Sequence, residues 1–181
     1  MTSSQHPSGS DRIAEAVAEL DVDLVVNVQG DEPLIAPQSI DTAVARAERT
    51  PDAIVSLKTA ITDRSTLLDP NAVKVVTDTN GFALYFSRSP IPAAPSGELP
   101  SNLFFKHIGL YVYPKALLTR LTRMLPSPLE LAERLEQLRA LENGIRIRLE
   151  QSAHDSIGVD TEEDLDAVRT LLAGRATVQR S

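Results

Sequence analysis

The chain of 181 residues contains no cysteine and no tryptophan, and aromatic residues make up only 4% of it. The lack of cysteine excludes disulfides, thiolate catalysis and cysteine-ligated zinc in this chain. Because large aromatic side chains are scarce, we expect a core made mainly of valine, leucine, isoleucine and alanine. The length is that of one compact domain with a hydrophobic core.

Positive charge and long apolar runs are lacking as well. The chain has 18 Lys and Arg against 25 Asp and Glu, a formal net charge of −7. A nucleic acid or an anionic membrane surface calls for a basic face, so we expect neither partner. No apolar run approaches the roughly 20 residues that span a bilayer, and the polar start resembles no secretion signal, so we expect a cytoplasmic protein. A phosphate-bearing small substrate stays compatible, because local cations or a metal ion can reverse the field in one pocket.

Short apolar runs alternate with helix-type patterns along the chain. The nearly continuous apolar run at 24–29 predicts a strand covered on both faces. Further strands are predicted at 53–60, 107–113 and 145–149, with a hairpin at Asn80-Gly81 joining 73–78 to 82–86. Helices are predicted to open at Ser8–Asp11 and to cover 37–49, 129–142 and 162–172. The alternation indicates a three-layer α/β domain over 1–172 around a mostly parallel sheet, followed by a disordered tail at 173–181.

Two aspartates lie where such a sheet binds its ligands, beyond the carboxyl ends of strands. Asp31 follows the strand at 24–29 in the sequence VQGDEP, and Asp160 precedes the last helix in GVDT. Two carboxylates can share Mg²⁺, a hard cation that prefers oxygen ligands and substrate phosphates. Taken singly, Asp31 also fits a turn and Asp160 a helix cap, so the residue types alone leave both readings open.

Seven blocks of the sequence resemble, in order, those of the 3-deoxy-manno-octulosonate cytidylyltransferases, or CMP-Kdo synthetases. The blocks are HPSGSDRIAEA, VNVQGDEPLI, NAVKVV, ALYFSRSPIP, HIGLYVY, SPLELAERLEQLRALENG and GVDTEEDLDAV. The resemblance implies a Rossmann-like nucleotide-diphospho-sugar transferase fold with an inserted β-hairpin region. It also implies transfer of CMP from CTP to the sugar acid Kdo, with release of pyrophosphate, which activates Kdo for lipopolysaccharide biosynthesis.

The resemblance assigns roles to individual side chains. It makes Asp31 and Asp160 the catalytic ligands of Mg²⁺. It implies that Kdo binds Arg88, His107, Tyr111, Glu136 and Gln137, and that the nucleotide binds Ser8, Gly9, Arg12 and Gln29. His107 and Tyr111 are four residues apart, so an extended strand would place both on one face. Without the resemblance, Arg88 would be read as a surface cation, His107 as a structural imidazole and Ser8 as a plain N-cap.

The resemblance is incomplete at the N-terminus. The family carries an N-terminal strand and a loop rich in Arg, Gly, Pro and Lys that grips the triphosphate, and neither occurs in this sequence. The loop after Arg88 is also shorter than in the family. We therefore expect an N-terminally incomplete fold and weak or absent cytidylyltransferase activity from this chain alone.

Three further expectations concern partners and alternatives. The resemblance implies a homodimer formed through the β region at about 72–113. A non-catalytic module that binds a sugar acid or a partner subunit is the alternative function, because the sugar residues are present without the triphosphate loop. An 8-amino form of Kdo or an N-acylneuraminate are alternative acceptors.

Overall fold

The computed structural model describes residues 2, 3, 6, 8–93, 100, 102–156, 158, 159 and 161–178. Within this part of the chain, six strands form one sheet with helices on both faces. The strands are β1 Leu24–Val28, β2 Ala53–Ala60, β3 Lys74–Thr77, β4 Ala83–Ser87, β5 Phe105–Pro114 and β6 Arg146–Gln151. The helices are α1 Gly9–Val17, α2 Pro37–Glu48, α3 Arg64–Leu68, α4 Lys115–Thr122, α5 Pro128–Glu133, α6 Gln137–Glu142 and α7 Glu162–Val178. None of these helices is both long enough and apolar enough to cross a membrane.

The long strand β5 organises the sheet. The strand order is β4-β3-β5-β2-β6, and β1 also pairs with β5. One edge of β5 pairs with β2, and the other pairs with β3 at its start and with β1 at its end. Of the pairings described, the one between β2 and β6 is parallel and the rest are antiparallel. The prediction of a mostly parallel sheet is therefore wrong, because β5 runs back between β2 on one side and β1 and β3 on the other.

The two faces of the sheet carry separate cores, because successive side chains of a strand point to opposite faces. On one face, Val55, Leu57 and Ile108 pack against Ala43 and Ala47 of α2. The other face packs against α4 and α6, through a core that includes Ile54, Tyr111, Tyr113, Leu118, Leu121 and Leu138. This arrangement confirms the predicted three layers.

Strand β1 is less covered than its apolar run predicts. Val25 is buried, but Val26 and Val28 are 39% and 42% exposed. Among the strands described, β1 pairs with β5 alone. The prediction of a strand covered on both faces is therefore wrong, because a run of apolar residues does not specify what packs on its second face.

The predicted helix at 129–142 is two helices. Arg134 has a left-handed backbone with φ of 54°, and the Leu135 amide donates to the Glu130 carbonyl, which ends α5. The carboxylate of Glu130 also binds the guanidinium of Arg139 in α6. The break places Glu136 and Gln137 at the start of α6 rather than in the middle of one long helix.

The chain is helical beyond the predicted end of its last helix. Helix α7 continues to Val178, past the predicted limit at 172, and residues 179–181 lie outside the described residues. The extension at 173–178 contains no proline, but Gly174, Thr177 and Val178 are weak helix formers, so local propensity alone does not explain it. The short helices α3 and α4 were not predicted, although Asp63 caps α3 by accepting a hydrogen bond from the Thr66 amide.

Candidate functional site

A cavity of about 550 Å³ lies on the α6 side of the sheet. Eight predicted site residues from separate parts of the chain line it: Gly9, Gln29, Asp31, Arg88, His107, Tyr111, Glu136 and Gln137. Ser8 borders the cavity through its contact with Glu136, whereas the exposed Arg12 does not line it. Asp160 lies outside the described residues.

The end of β1 supplies one wall of the cavity, because side chains at every second position of the strand point to the same face. Val25 is buried in the core, and the side chains of Asn27 and Gln29 follow at every second position on the same face. Asp31 lies in the turn after the strand, and its carbonyl accepts a hydrogen bond of 2.8 Å from the Val159 amide. The segment just before α7 therefore lies against this turn. Within the described ranges, no group of three His, Asp or Glu side chains is placed to hold a metal ion.

Glu32 is a cavity residue that the sequence analysis missed. It is 9% exposed, and its Oε1 accepts a hydrogen bond of 3.1 Å from the Gly109 amide. Its Oε2 is buried and has no hydrogen-bond partner in the part of the chain that is described. A Cβ at position 109 would lie 2.3 Å from Gln29 Oε1, so any larger residue there would require the flexible end of the Gln29 side chain to move. Only the position of Glu32 beside Asp31 could have indicated its place in the site.

An irregularity in β5 shapes the opposite wall. Ser56 pairs with Tyr111 and Leu57 pairs with Ile108, so Gly109 and Leu110 have no partner in β2. Because two residues are inserted, the alternation of faces is preserved across this bulge. The rings of His107 and Tyr111 accordingly lie on one face with their centroids 5.3 Å apart, which confirms the predicted placement.

His107 is held among neutral groups. Its Nε2 is 2.8 Å from Ser56 Oγ, and its ring makes a T-shaped contact with the Phe86 ring at a centroid distance of 5.2 Å. Burial lowers the pKa of His107 to about 3, because the charged ring would lose its hydration. The imidazole is therefore neutral at physiological pH. Burial likewise raises the pKa of Tyr111, so its hydroxyl keeps its proton.

We expect the half-buried His107 to make the folded state sensitive to acid. Its pKa is about 3 when folded against an ordinary 6.5, so the unfolded chain binds more protons between these values. Stability should be complete above the unfolded pKa and should fall, by up to about 1.4 kcal/mol per pH unit, as the pH drops below it. Urea unfolding of the wild type and His107→Asn between pH 7 and pH 5 measures this, because the carboxyl groups are common to both proteins and cancel in the difference. Equal slopes for the two proteins would contradict the assignment.

Arg88 is oriented by backbone carbonyls. Its Nε donates to the carbonyl of Glu133 and its Nη1 to the carbonyl of Pro70, each at 2.9 Å. Its backbone amide donates to the Glu133 carboxylate, which also accepts from Ser87 at 2.6 Å. Burial acts to raise the pKa of Glu133, but these hydrogen bonds lower it overall. The guanidinium is therefore a fixed cation in the cavity wall.

The residues that precede α1 and α6 meet at a third wall of the cavity. Ser8 caps α1 as predicted, because its Oγ accepts a hydrogen bond of 3.2 Å from the Asp11 amide. The same Oγ lies 2.9 Å from Glu136 Oε1 and 2.6 Å from Asp11 Oδ2, so its single proton serves one carboxylate at a time. Residues predicted for the nucleotide and residues predicted for the sugar are thus in direct contact.

Lys106 is a further cation that the sequence analysis missed. Its Nζ is 2.8 Å from Asp155 Oδ1 and 3.0 Å from the Ser156 carbonyl, and all three residues line the cavity. The contact ties β5 to the segment that leads into α7. Its position beside His107 in the sequence is the signal that could have drawn attention to it.

Comparisons of the sequence with known proteins all match cytidylyltransferases. A family profile described as Cytidylyltransferase matches residues 1–147. The 3-deoxy-manno-octulosonate cytidylyltransferase of Geobacter metallireducens is 51% identical, over 93% of this chain and 70% of that protein. Its counterpart in Geobacter sulfurreducens is 50% identical, over 93% of this chain and 71% of that protein.

Solved structures agree with the sequence relatives. A CMP:2-keto-3-deoxy-manno-octonic acid synthetase complexed with CTP superposes with a TM-score of 0.88 at 38% identity, covering 97% of this chain and 72% of that one. A glucose-1-phosphate thymidylyltransferase from Bacillus anthracis superposes with a TM-score of 0.61 at 13% identity, covering 93% of this chain and 62% of that one. The second likeness concerns the fold alone.

Proposed function

This chain belongs to the cytidylyltransferase family, among the 3-deoxy-manno-octulosonate cytidylyltransferases, and on that premise we propose that its cavity binds Kdo beside the α-phosphate of CTP. The reaction transfers CMP from CTP to Kdo, releases pyrophosphate and activates Kdo for lipopolysaccharide biosynthesis. The observation that carries the proposal is the convergence of eight predicted site residues on one cavity. A non-catalytic binding module, the alternative, would need the same sugar residues but no turnover.

The cavity offers a matching group for each part of the sugar acid. The Arg88 guanidinium suits the carboxylate of Kdo, because it is a fixed cation with donors in a planar fork. Neutral His107, Tyr111 and Gln137 suit the hydroxyl groups, since they combine donors with acceptors. In the reaction, the anomeric oxygen forms a bond to the α-phosphorus, pyrophosphate leaves with the bridging oxygen, and the hydroxyl proton passes to water. Holding Kdo in one orientation brings the attacking oxygen to the phosphate.

The donor chemistry at Asp31 fits the Mg²⁺ that the family resemblance implies. Its carboxylate is exposed in the cavity, and Mg²⁺ commonly takes one or two carboxylates together with substrate phosphates and water. We propose Asp31 as one ligand and Asp160 as the second. The ion would supply charge neutralisation at the α-phosphate and at the leaving pyrophosphate.

Release of pyrophosphate from CTP tests the proposal. The assay compares Kdo, no acceptor, 8-amino-Kdo and N-acetylneuraminate in the presence of Mg²⁺. We expect release that depends on Kdo, and this dependence is the decisive readout rather than the absolute rate. Titration calorimetry with Kdo alone distinguishes the alternative, because a binding module would give heat of binding without any Kdo-dependent pyrophosphate. Turnover with N-acetylneuraminate but not with Kdo would overturn the assignment of the substrate.

Replacement of Arg88 by lysine is expected to weaken Kdo binding about tenfold. Lysine keeps the charge but loses the planar fork that suits a carboxylate, and it loses the Nε bond to the Glu133 carbonyl. Calorimetry on the variant measures the change, and Arg123→Lys, at an exposed residue that does not line the cavity, is the matched control. Equal Kdo affinity of the Arg88 variant and the wild type would remove Arg88 from the sugar site.

We also propose that the chain forms a homodimer through the region 72–113 and resides in the cytoplasm. In support of a dimer, Leu84 and Leu103 in this region are 62% and 46% exposed. Leu84→Glu should therefore convert the dimer to a monomer in light scattering, because it puts charge into an apolar contact. Leu125→Glu, at an 85% exposed residue outside the region, should leave the mass unchanged. A wild type that stays monomeric at all concentrations would contradict the dimer.

A further inference from the structure

We propose that Ser56 positions His107 by holding its ring in the Nε2–H tautomer. In this tautomer Nδ1 has no proton and can accept a hydrogen bond from a hydroxyl group of the sugar substrate. Ser56 lies in the middle of β2 and is fully buried, and it does not line the cavity. The hydrogen bond between Nδ1 and a sugar hydroxyl rests on the proposed function. The assignment of the proton to Nε2 rests only on contacts within this chain.

The tautomer follows from counting protons around the Ser56 hydroxyl. Its Oγ is 2.7 Å from the Leu110 carbonyl, 2.8 Å from His107 Nε2 and 3.5 Å from the Ile108 carbonyl. A hydroxyl has one proton and a carbonyl can only accept, so the short contact to Leu110 uses that proton. Ser56 can then only accept from His107, and Nε2 must carry a hydrogen.

The bulge in β5 explains why the Ser56 hydroxyl donates to the Leu110 carbonyl. The register of β2 passes over Gly109 and Leu110, so the regular ladder is interrupted where the Leu110 carbonyl faces the Ser56 hydroxyl. A buried carbonyl without a donor is costly, and the Ser56 hydroxyl supplies one. If Ser56 donated to His107 instead, two oxygens would face each other at 2.7 Å without a proton between them.

The protonation state of Nδ1 determines which functional group of the sugar it can bind. The ring is neutral because burial depresses the pKa of His107, so one nitrogen has a proton and the other does not. Nδ1 makes no hydrogen bond within the described residues, while the ring lines the cavity. An unprotonated nitrogen accepts from a hydroxyl but repels a carboxylate. His107 and Arg88 therefore select opposite functional groups, which fixes the orientation of a sugar acid between them.

Nitrogen NMR of the full chain, labelled at histidine and free of ligand, reads the tautomer directly. Long-range proton–nitrogen correlations should show His107 in the wild type with Nε2 protonated and Nδ1 unprotonated. Ser56→Ala should give a mixed or reversed pattern, whereas Ser56→Thr keeps the hydroxyl and should keep the wild-type pattern. Ser39→Ala is the matched control, because it removes another buried serine hydroxyl, bonded to Ser152 and outside the cavity.

Calorimetry on the same proteins supplies the functional readout. Kdo affinity should fall about tenfold in Ser56→Ala and stay within about twofold of wild type in Ser56→Thr and Ser39→Ala. A wild-type spectrum with Nδ1 protonated would overturn the inference even if no variant folds. A Ser56→Ala protein with unchanged tautomer and affinity would overturn the positioning role. Absence of Kdo binding to the wild type, with the Nε2–H tautomer present, would overturn the proposed function but leave the tautomer assignment standing.

Discussion

Arg139→Met is expected to lower the free energy of unfolding by about 3–5 kcal/mol, because it strands the carboxylate of Glu130 in the interior. Arg139 and Glu130 are 4% and 8% exposed, and Nε donates to Oε2 at 2.8 Å. Burial acts to raise the pKa of Glu130, but the bonds from Arg139 and from the Ser127 amide lower it overall. The carboxylate therefore stays charged near neutral pH, and removing Arg139, its cation partner among the described residues, is costly.

A second variant separates the cost of a stranded charge from the value of the pair. Glu130→Gln combined with Arg139→Met removes both charges and keeps a residue that can complete the capping box with Ser127. We expect this double variant to recover most of the lost stability in urea unfolding. Arg169→Met is the matched control, because its ion pair with Asp166 is exposed and is worth less than about 1 kcal/mol. A single-variant loss as small as that of the control would contradict the buried pair.

The same pair connects stability to the site. It joins α5 to α6 across the left-handed Arg134, and Glu136 and Gln137 lie between its two members in the sequence. Loosening the pair should therefore also weaken Kdo binding in any Arg139 variant that still folds. Recovery of stability without recovery of affinity in the double variant would show that the pair sets the position of these side chains as well.

Local patterns predicted the elements whose cause is local. Ser8 caps α1, Pro37 begins α2, and Asn80-Gly81 turns the hairpin between β3 and β4, each as expected from residues close in sequence. The break at Arg134 could not be predicted in this way, because it depends on a contact between two helices. The direction of β5 and the open face of β1 likewise depend on which strands become neighbours.

The residues of the candidate site also divide into those that local sequence identifies and those that depend on the fold. Blocks resembling a known family identified residues such as Arg88, His107 and Tyr111, and the fold brings them to one cavity. Glu32 and Ser56 were missed, because their roles arise from the bulge at Gly109 and Leu110. A bulge is a feature of strand register, and register is set by the sheet as a whole rather than by a short segment.

Asp31→Ala is expected to reduce Kdo-dependent pyrophosphate release at least about a hundredfold, the scale on which loss of one electrostatic stabiliser acts. The proposed Mg²⁺ would lose a carboxylate ligand, while the turn should persist because the bond from the Val159 amide uses the Asp31 backbone carbonyl. Asp31→Asn, which keeps the shape of the side chain, should lose nearly as much activity if charge is the cause. Asp41→Ala, on the exposed side of α2, should lose no activity.

The second readout is thermal: CTP with Mg²⁺ should raise the Tm of the wild type and of Asp41→Ala but not of either Asp31 variant. Full activity in Asp31→Asn would show that the carboxylate charge is not required, and a Tm rise in both Asp31 variants would remove Asp31 from the metal site.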